Sequence, residues 1–139
     1  MTEITWQELK DMKACIGAMH KFREIFGKKA SIKDVVKELK TRRHFLYRAW
    51  EAWLLAQNLV LTEAMIENGA NVGVADNYAL YTAAIYNRPE VVELLIKNGA
   101  DIQDAISFWA RSYKNVRGAV RVLEQYLYSE VVEPRCIVF

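Results

Sequence analysis

The sequence predicts an all-α chain in which about three helix pairs stack behind an N-terminal helical cap. One stretch near the middle recurs 30 residues later, the mark of a repeat array. Only six glycines and two prolines punctuate 139 residues, which favours helices joined by short loops. Hydrophobic residues make up 53% of the chain and charged residues 26%, enough apolar material for a core and too much for intrinsic disorder.

Residues 1–45 read as a helical module of their own. Thr5-Trp6-Gln7-Glu8 has the capping-box pattern and starts a short helix. A second helix is expected from Ala14 to Phe26, with Ile16, Met19, Phe22 and Phe26 inward and Gly27 as its stop. Cys15 is then expected in the core and His20 on a wet face. Ser31 caps a third helix whose apolar stripe is Ile32, Val35, Val36 and Leu39. Lys29, Lys33, Lys37 and Lys40 step at helical intervals and are expected to share a face.

Residues 46–128 carry the repeats. Leu61–Val72 lies over Val91–Ile102 with identities at Glu63/Glu93, Ile66/Ile96, Asn68/Asn98, Gly69/Gly99 and Ala70/Ala100. Each copy reads as a helix with a glycine at the position where a left-handed cap is needed. Pro89 suits a first helical turn, where its missing N–H costs little. Between the copies, Asp76-Asn77 can cap a helix from Tyr78 to Asn87, with Leu80, Ala83 and Ala84 on its packing face. Arg48 to Gln57, containing Trp50, Trp53 and Leu54, takes the matching place ahead of Leu61. Ala105 to Ser112 and Val116 to Tyr128 form a third pair, with Ile106, Trp109, Ala110, Val120 and Leu123 inside. One pair cannot bury its own apolar face, so the pairs must stack. Residues 129–139 are left as a C-terminal tail.

Asp76-Asn77-Tyr78-Ala79-Leu80-Tyr81-Thr82-Ala83-Ala84, followed by Pro89 through Ile102, resembles an ankyrin repeat. The resemblance is clear over residues 61–102 and looser over 45–128. The offset is about three residues short of the standard period of about 33, and Tyr-Ala-Leu-Tyr stands in place of the usual Thr-Pro-Leu-His opening. The β-hairpin finger between repeats is therefore expected to be truncated. Leu9…Ala14-Cys15…Phe22-Arg23…Phe26-Gly27 is similar to a short helical module that precedes repeat arrays in some bacterial and phage proteins.

Enzymatic chemistry finds no local pattern. His20 and His44 are far apart, and Cys15 and His20 are five residues apart, a spacing that points them to different sides of a helix. No metal site, catalytic residue or cofactor is expected. No glycine-rich phosphate loop is present, since Gly69 and Gly73 lack the lysine and strand context. No apolar run approaches the roughly 18–20 residues of a membrane span, and the first residues do not read as a signal peptide. Cys15 and Cys136 make no disulfide framework, so a cytoplasmic setting is expected. Cys136-Ile137-Val138-Phe139 matches a prenylation box by its form alone, without a polybasic helper.

What remains is binding. The ankyrin resemblance implies a concave surface on the first helices, bearing Tyr78, Tyr81, Ile85 and Tyr86, with Arg48, Phe108 and Arg111 beside them. Tyr47, Glu51 and Ser112 neighbour that surface. Tyrosine offers a large rigid contact area at low entropic cost. The expected function is non-enzymatic binding of another protein, as a microbe- or phage-encoded stoichiometric inhibitor of a host factor such as a bacterial immune complex. The alternative is a nucleic-acid-binding or phosphate-contacting regulator. Residues 21–48 hold ten Lys/Arg against three acids, and Lys29, Lys33, Lys37, Lys40, Arg42 and Arg43 would make its contacts. An array this short is near the lower limit for stability, which leaves room for a homodimer through an uncovered end.

Overall fold

The computed structural model describes residues 1–110 and 118–126. Its N-terminal module opens with strand β1 (Glu3–Thr5), helix α1 (Trp6–Asp11) and helix α2 (Ile16–Phe26). Strand β2 (Lys29–Ser31) and helix α3 (Ile32–Thr41) follow. The predicted caps form. Thr5 Oγ1 accepts from Glu8 N at 3.0 Å while Glu8 Oε1 accepts from Thr5 N at 3.2 Å. Ser31 Oγ accepts from Asp34 N at 3.0 Å.

The described residues form the expected all-α fold, to which the N-terminal module adds two three-residue strands. They pair antiparallel with Ile4 opposite Ala30, and both of these side chains are buried. Gly27 makes this possible: its φ of 79° turns the chain back toward the N-terminus. Trp6 N then donates to Lys28 O and Ile32 N to Thr2 O, each at 2.8 Å, extending the ladder at both ends. Three residues are too few to show a period of two, so nothing local announces such strands.

Three further expectations for this module are corrected. Helix α2 begins at Ile16, so Cys15 is its exposed N-cap and not a core residue, with Sγ accepting from Ala18 N at 3.4 Å. Ile16, at the first helical position, lies past the edge of the packed face and is 73% exposed. Lys29 belongs to β2, beside Glu3 at 3.8 Å, and so leaves the row of lysines on α3.

The stack consists of α4 (Phe45–Leu55), α5 (Leu59–Glu67), α6 (Val74–Ile85) and α7 (Pro89–Lys97). Helix α8 (Ile102–Ala105) runs on into a π-helical turn (Ile106–Ala110), and α9 (Ala119–Glu124) completes the third pair. The third pair thus starts three residues earlier than read, because Asp101 caps α8 through Asp104 N at 3.0 Å. Helix α6 packs between α4 and α8 to form an inner row, and α5 packs on α7 as the outer row. Ala52, Ala79, Ala83 and Ala105 are fully buried, and their small size lets the inner helices approach closely. Helix α3 packs on both α4 and α5, which is the place an earlier pair would fill. It therefore caps the stack.

Equivalent copies share their stops. Gly69 and Gly99 have φ of 87° and 99°. Behind them Ala70 N donates to Met65 O at 2.9 Å and Ala100 N to Leu95 O at 3.0 Å. No strand occurs in the loops at 68–73 and 98–101, so the finger is truncated as its length implies.

The pairs are tied by one repeated link. Asn71 N donates to Glu51 Oε2 at 2.9 Å, and 30 residues on, Asp101 N donates to Asn77 Oδ1 at 2.9 Å. Asn77 Nδ2 also donates to Asp104 Oδ2 at 2.8 Å. Ala75, Asp76 and Asn77 all lie in the left-handed region, with φ of 54°, 54° and 63°, and the right-handed helix proper follows them. Each such residue costs about 1–2 kcal/mol. Trp109 Nε1 holds the turn from outside by donating to Asp76 O at 2.8 Å.

Glu51 is 1% exposed, and burial pushes its carboxyl above the ordinary value against the opposing pull of the Asn71 N–H, Lys40 and Arg48. Those two cations are themselves anchored. Lys40 donates to Gly69 O, and Arg48 to Leu39 O, Lys40 O and Arg42 O at the end of α3.

Three outcomes follow. Asn77→Ala strips two part-buried groups of their partner and lowers stability by roughly 1–2 kcal/mol in a urea titration. Ala75→Gly, which relieves a left-handed alanine, raises stability by about 1 kcal/mol in the same assay. Because the folded chain holds the Glu51 proton more tightly than the unfolded one, its contribution is full below the ordinary pKa of 4.5 and lost as pH rises through the folded value. Glu51→Gln, which keeps an acceptor for Asn71 N, is therefore at least as stable as wild type at about pH 7, and its advantage shrinks as pH falls toward 4.5. Thermal melts across that range measure it.

Candidate functional site

The inner row sets the candidate surface. Tyr78 opens the right-handed part of α6, and Trp109 packs over it with ring centroids 4.6 Å apart. Trp109 stacks on Tyr81 at 6.0 Å and meets Phe108 edge-on at 5.0 Å. Tyr81 is consequently buried at 3% exposure, and its expected place on an open binding surface is corrected: it is the floor under Trp109. Phe108 stays exposed at 44%, while Tyr78 and Ile85 are half-buried.

Tyr86, at the far end of α6, is 54% exposed and carries the Arg88 guanidinium over its ring at 5.0 Å. Arg88 Nη1 donates to Ala56 O at 2.6 Å, so the same arginine ties α6 to the end of α4. Eight residues of helix put about 12 Å between Tyr78 and Tyr86. The predicted site thus has two ends, an aromatic cluster around Trp109 and the Tyr86–Arg88 pair.

Arg48 does not join either end. Its guanidinium is committed to the last carbonyls of α3, where a cation also suits the helix dipole, so its expected partner-binding role is corrected to a structural one. Glu51, expected beside the surface, is interior. Arg111 and Ser112 lie outside the described residues, as do Lys114, Arg117 and the tail 127–139 with Cys136; the side chains of Ala110 and Val120 do too.

The expected phosphate-contacting row is broken up. With Lys29 in β2 and Lys40 on Gly69 O, Lys33 and Lys37 remain as exposed neighbours on α3. Arg42 pairs with Glu38 at 3.0 Å and stacks over Tyr47 at 5.5 Å; Arg43 is exposed.

One feature was missed in the sequence. A cleft of about 230 Å³ separates α2 from the inner helices. Trp50, Trp53 and Tyr78 line one side, and Ala18, Phe22 and Ile25 the other. Lys21, Glu38 and Arg42 stand at its polar edge. A signal for it existed in the density of aromatics at Phe45, Tyr47, Trp50 and Trp53, more than one helix needs for packing on its neighbours. Tyr47 and Trp50 meet edge-on at 5.1 Å, and Phe45 is 71% exposed.

Residues 75–104 match the family described as ankyrin repeat. Over that span the chain is similar to an ankyrin repeat. The matched span opens on the left-handed turn, runs through α6 and α7, and closes on the Asp101–Asp104 cap. Searches of curated proteins and of solved structures give no match. Ankyrin repeats are non-catalytic modules that bind other proteins. Among the described residues no three His, Cys, Asp or Glu side chains gather where they could hold a metal ion. No described helix is long and apolar enough to cross a membrane.

Proposed function

We propose that this ankyrin-repeat chain binds a partner protein through its inner helices, using rigid aromatic anchors. The observation that carries the reading is the aromatic surface built on α6 and the π-helical turn, where Phe108 and Tyr86 stand exposed on side chains held by Trp109 and Arg88. Anchors fixed before binding lose little entropy on docking. The truncated loops at 68–73 and 98–101 leave the helices, not finger tips, as the reaching elements.

The role we favour is stoichiometric inhibition of a host factor by occupancy. The likeness of residues 9–27 to modules in bacterial and phage proteins supports a microbial or viral source, and a bacterial immune complex is the class of target that suits it. A cytoplasmic setting goes with that role. A nucleic-acid role is less favoured, because the lysine row that would carry it is reduced to Lys33 and Lys37 on α3.

The test is pull-down from host lysate followed by titration against the captured protein. Tyr86→Ala with Phe108→Ala weakens binding by about 30-fold or more, the loss typical of a hot spot worth about 2 kcal/mol. Binding that instead survives the double variant, or that collapses steeply with salt as phosphate contacts do, sinks this reading.

A further inference from the structure

The cleft between α2 and the inner helices is the feature that the aromatic surface does not account for. Its volume of about 230 Å³ exceeds the roughly 150 Å³ known to hold a benzene ring. It falls short of the roughly 300–1,000 Å³ of small-molecule sites. That is room for one bulky side chain rather than for a cofactor. Trp50, Trp53 and Tyr78 supply an aromatic wall that favours an aromatic or branched aliphatic guest.

Charge narrows the guest further. Residues 21–48, which form most of the outer wall and its edge, hold ten Lys/Arg against three acids, a balance of +7. Residues 49–110 carry two basic residues against eight acids, a balance of −6. At the opening itself the charged side chains are Lys21, Arg42 and Glu38, two cations against one acid. Lys21 and Arg42 lie at that edge, the first in an exposed ion pair with Glu24 at 3.2 Å and the second in a part-buried pair with Glu38 at 3.0 Å. Ion pairs that still face solvent are weak, so an incoming carboxylate can share or replace the present partner. Arg42 is already held over the Tyr47 ring, which presents its guanidinium without further ordering.

We propose that this cleft seats one aromatic or branched aliphatic side chain from a segment of a partner protein, with acidic residues beside that anchor meeting Lys21 and Arg42. The inference rests on the reading of the chain as a protein-binding module and names the chemistry of what it binds. It also gives the cap a role beyond covering the end of the stack, because one wall of the cleft is α2 and the other is the inner row.

The probe is a display library of random twelve-residue peptides selected on the immobilised full chain, with the best binder then titrated by fluorescence polarisation. The expected winners carry Phe, Trp, Leu or Ile next to Asp or Glu. Ala18→Trp, which fills the cleft, weakens the peptide at least tenfold while circular dichroism stays unchanged; Ala49→Phe fills it from the opposite wall should Ala18→Trp fail to fold. Lys21→Glu weakens the acidic peptide severalfold, and a peptide with Lys in place of its acids recovers binding to that variant. Tyr86→Ala with Phe108→Ala leaves peptide affinity unchanged, so loss of the aromatic-surface reading and loss of the cleft are separately visible. The proposal is overturned by selection that yields no binder or binders without acidic residues. It is equally overturned by peptides held as tightly after the cleft is filled, or by free laurate occupying the cleft in place of every peptide.

Discussion

Asn77 accepts the Asp101 N–H and donates to Asp104, and through these two bonds the second helix pair of the stack is registered on the third. The geometry that lets one side chain reach both groups is a left-handed turn of three consecutive residues, none of them glycine. That turn is costly by itself. It persists because Trp109 grips its Asp76 carbonyl and because the buried Asn77 side chain is satisfied by the Asp101 N–H and the Asp104 carboxylate. Removing this link therefore affects both the register of the pairs and the placement of Trp109, which shapes the candidate surface.

The same link in the previous pair is made by Glu51, from a position one helical turn away from the equivalent of Asn77, and the difference has a physical meaning. A buried amide is satisfied by two partners, whereas a buried carboxylate also needs its charge balanced. Lys40 and Arg48 offset part of that cost without overcoming burial, and both are fixed by carbonyls, at Gly69 in the first case and at the end of α3 in the second. The cap is thus joined to the stack by electrostatics at Glu51 as well as by apolar packing of α3 on α4 and α5. An interior repeat has no such neighbour to provide cations, which is a reason for an amide at Asn77.

The candidate surface and the cleft draw on one resource in different ways. Trp109 and Tyr81 spend most of their area inside the molecule and hold Phe108 and Tyr78 in place. Trp50 and Trp53 do the reverse, giving up part of their burial because α2 stands off from them. A part-buried indole wall that faces Ala18, Phe22 and Ile25 across an open cleft leaves apolar area uncovered, a poor arrangement for stability alone. It makes sense as a recess for a partner, and only the union of cap and stack creates it.

The helix stops at Gly69 and Gly99, the caps at Thr5 and Ser31, and the alanine-rich inner helix were legible because each depends on neighbours within a few residues. The short loops and the 30-residue spacing likewise determined a stack with truncated fingers. The β1–β2 pairing, the burial of Tyr81, the commitment of Arg48 to α3 and the cleft were not legible. Each of these joins residues of different elements, six or more apart in the chain, and periodicity reports which side of a helix a residue occupies but not what waits on that side. For this chain the sequence by itself determined the helices, their ends and their order. Tertiary structure decided which aromatic side chains became floor, wall or open surface, because that depends on packing partners no local pattern encodes.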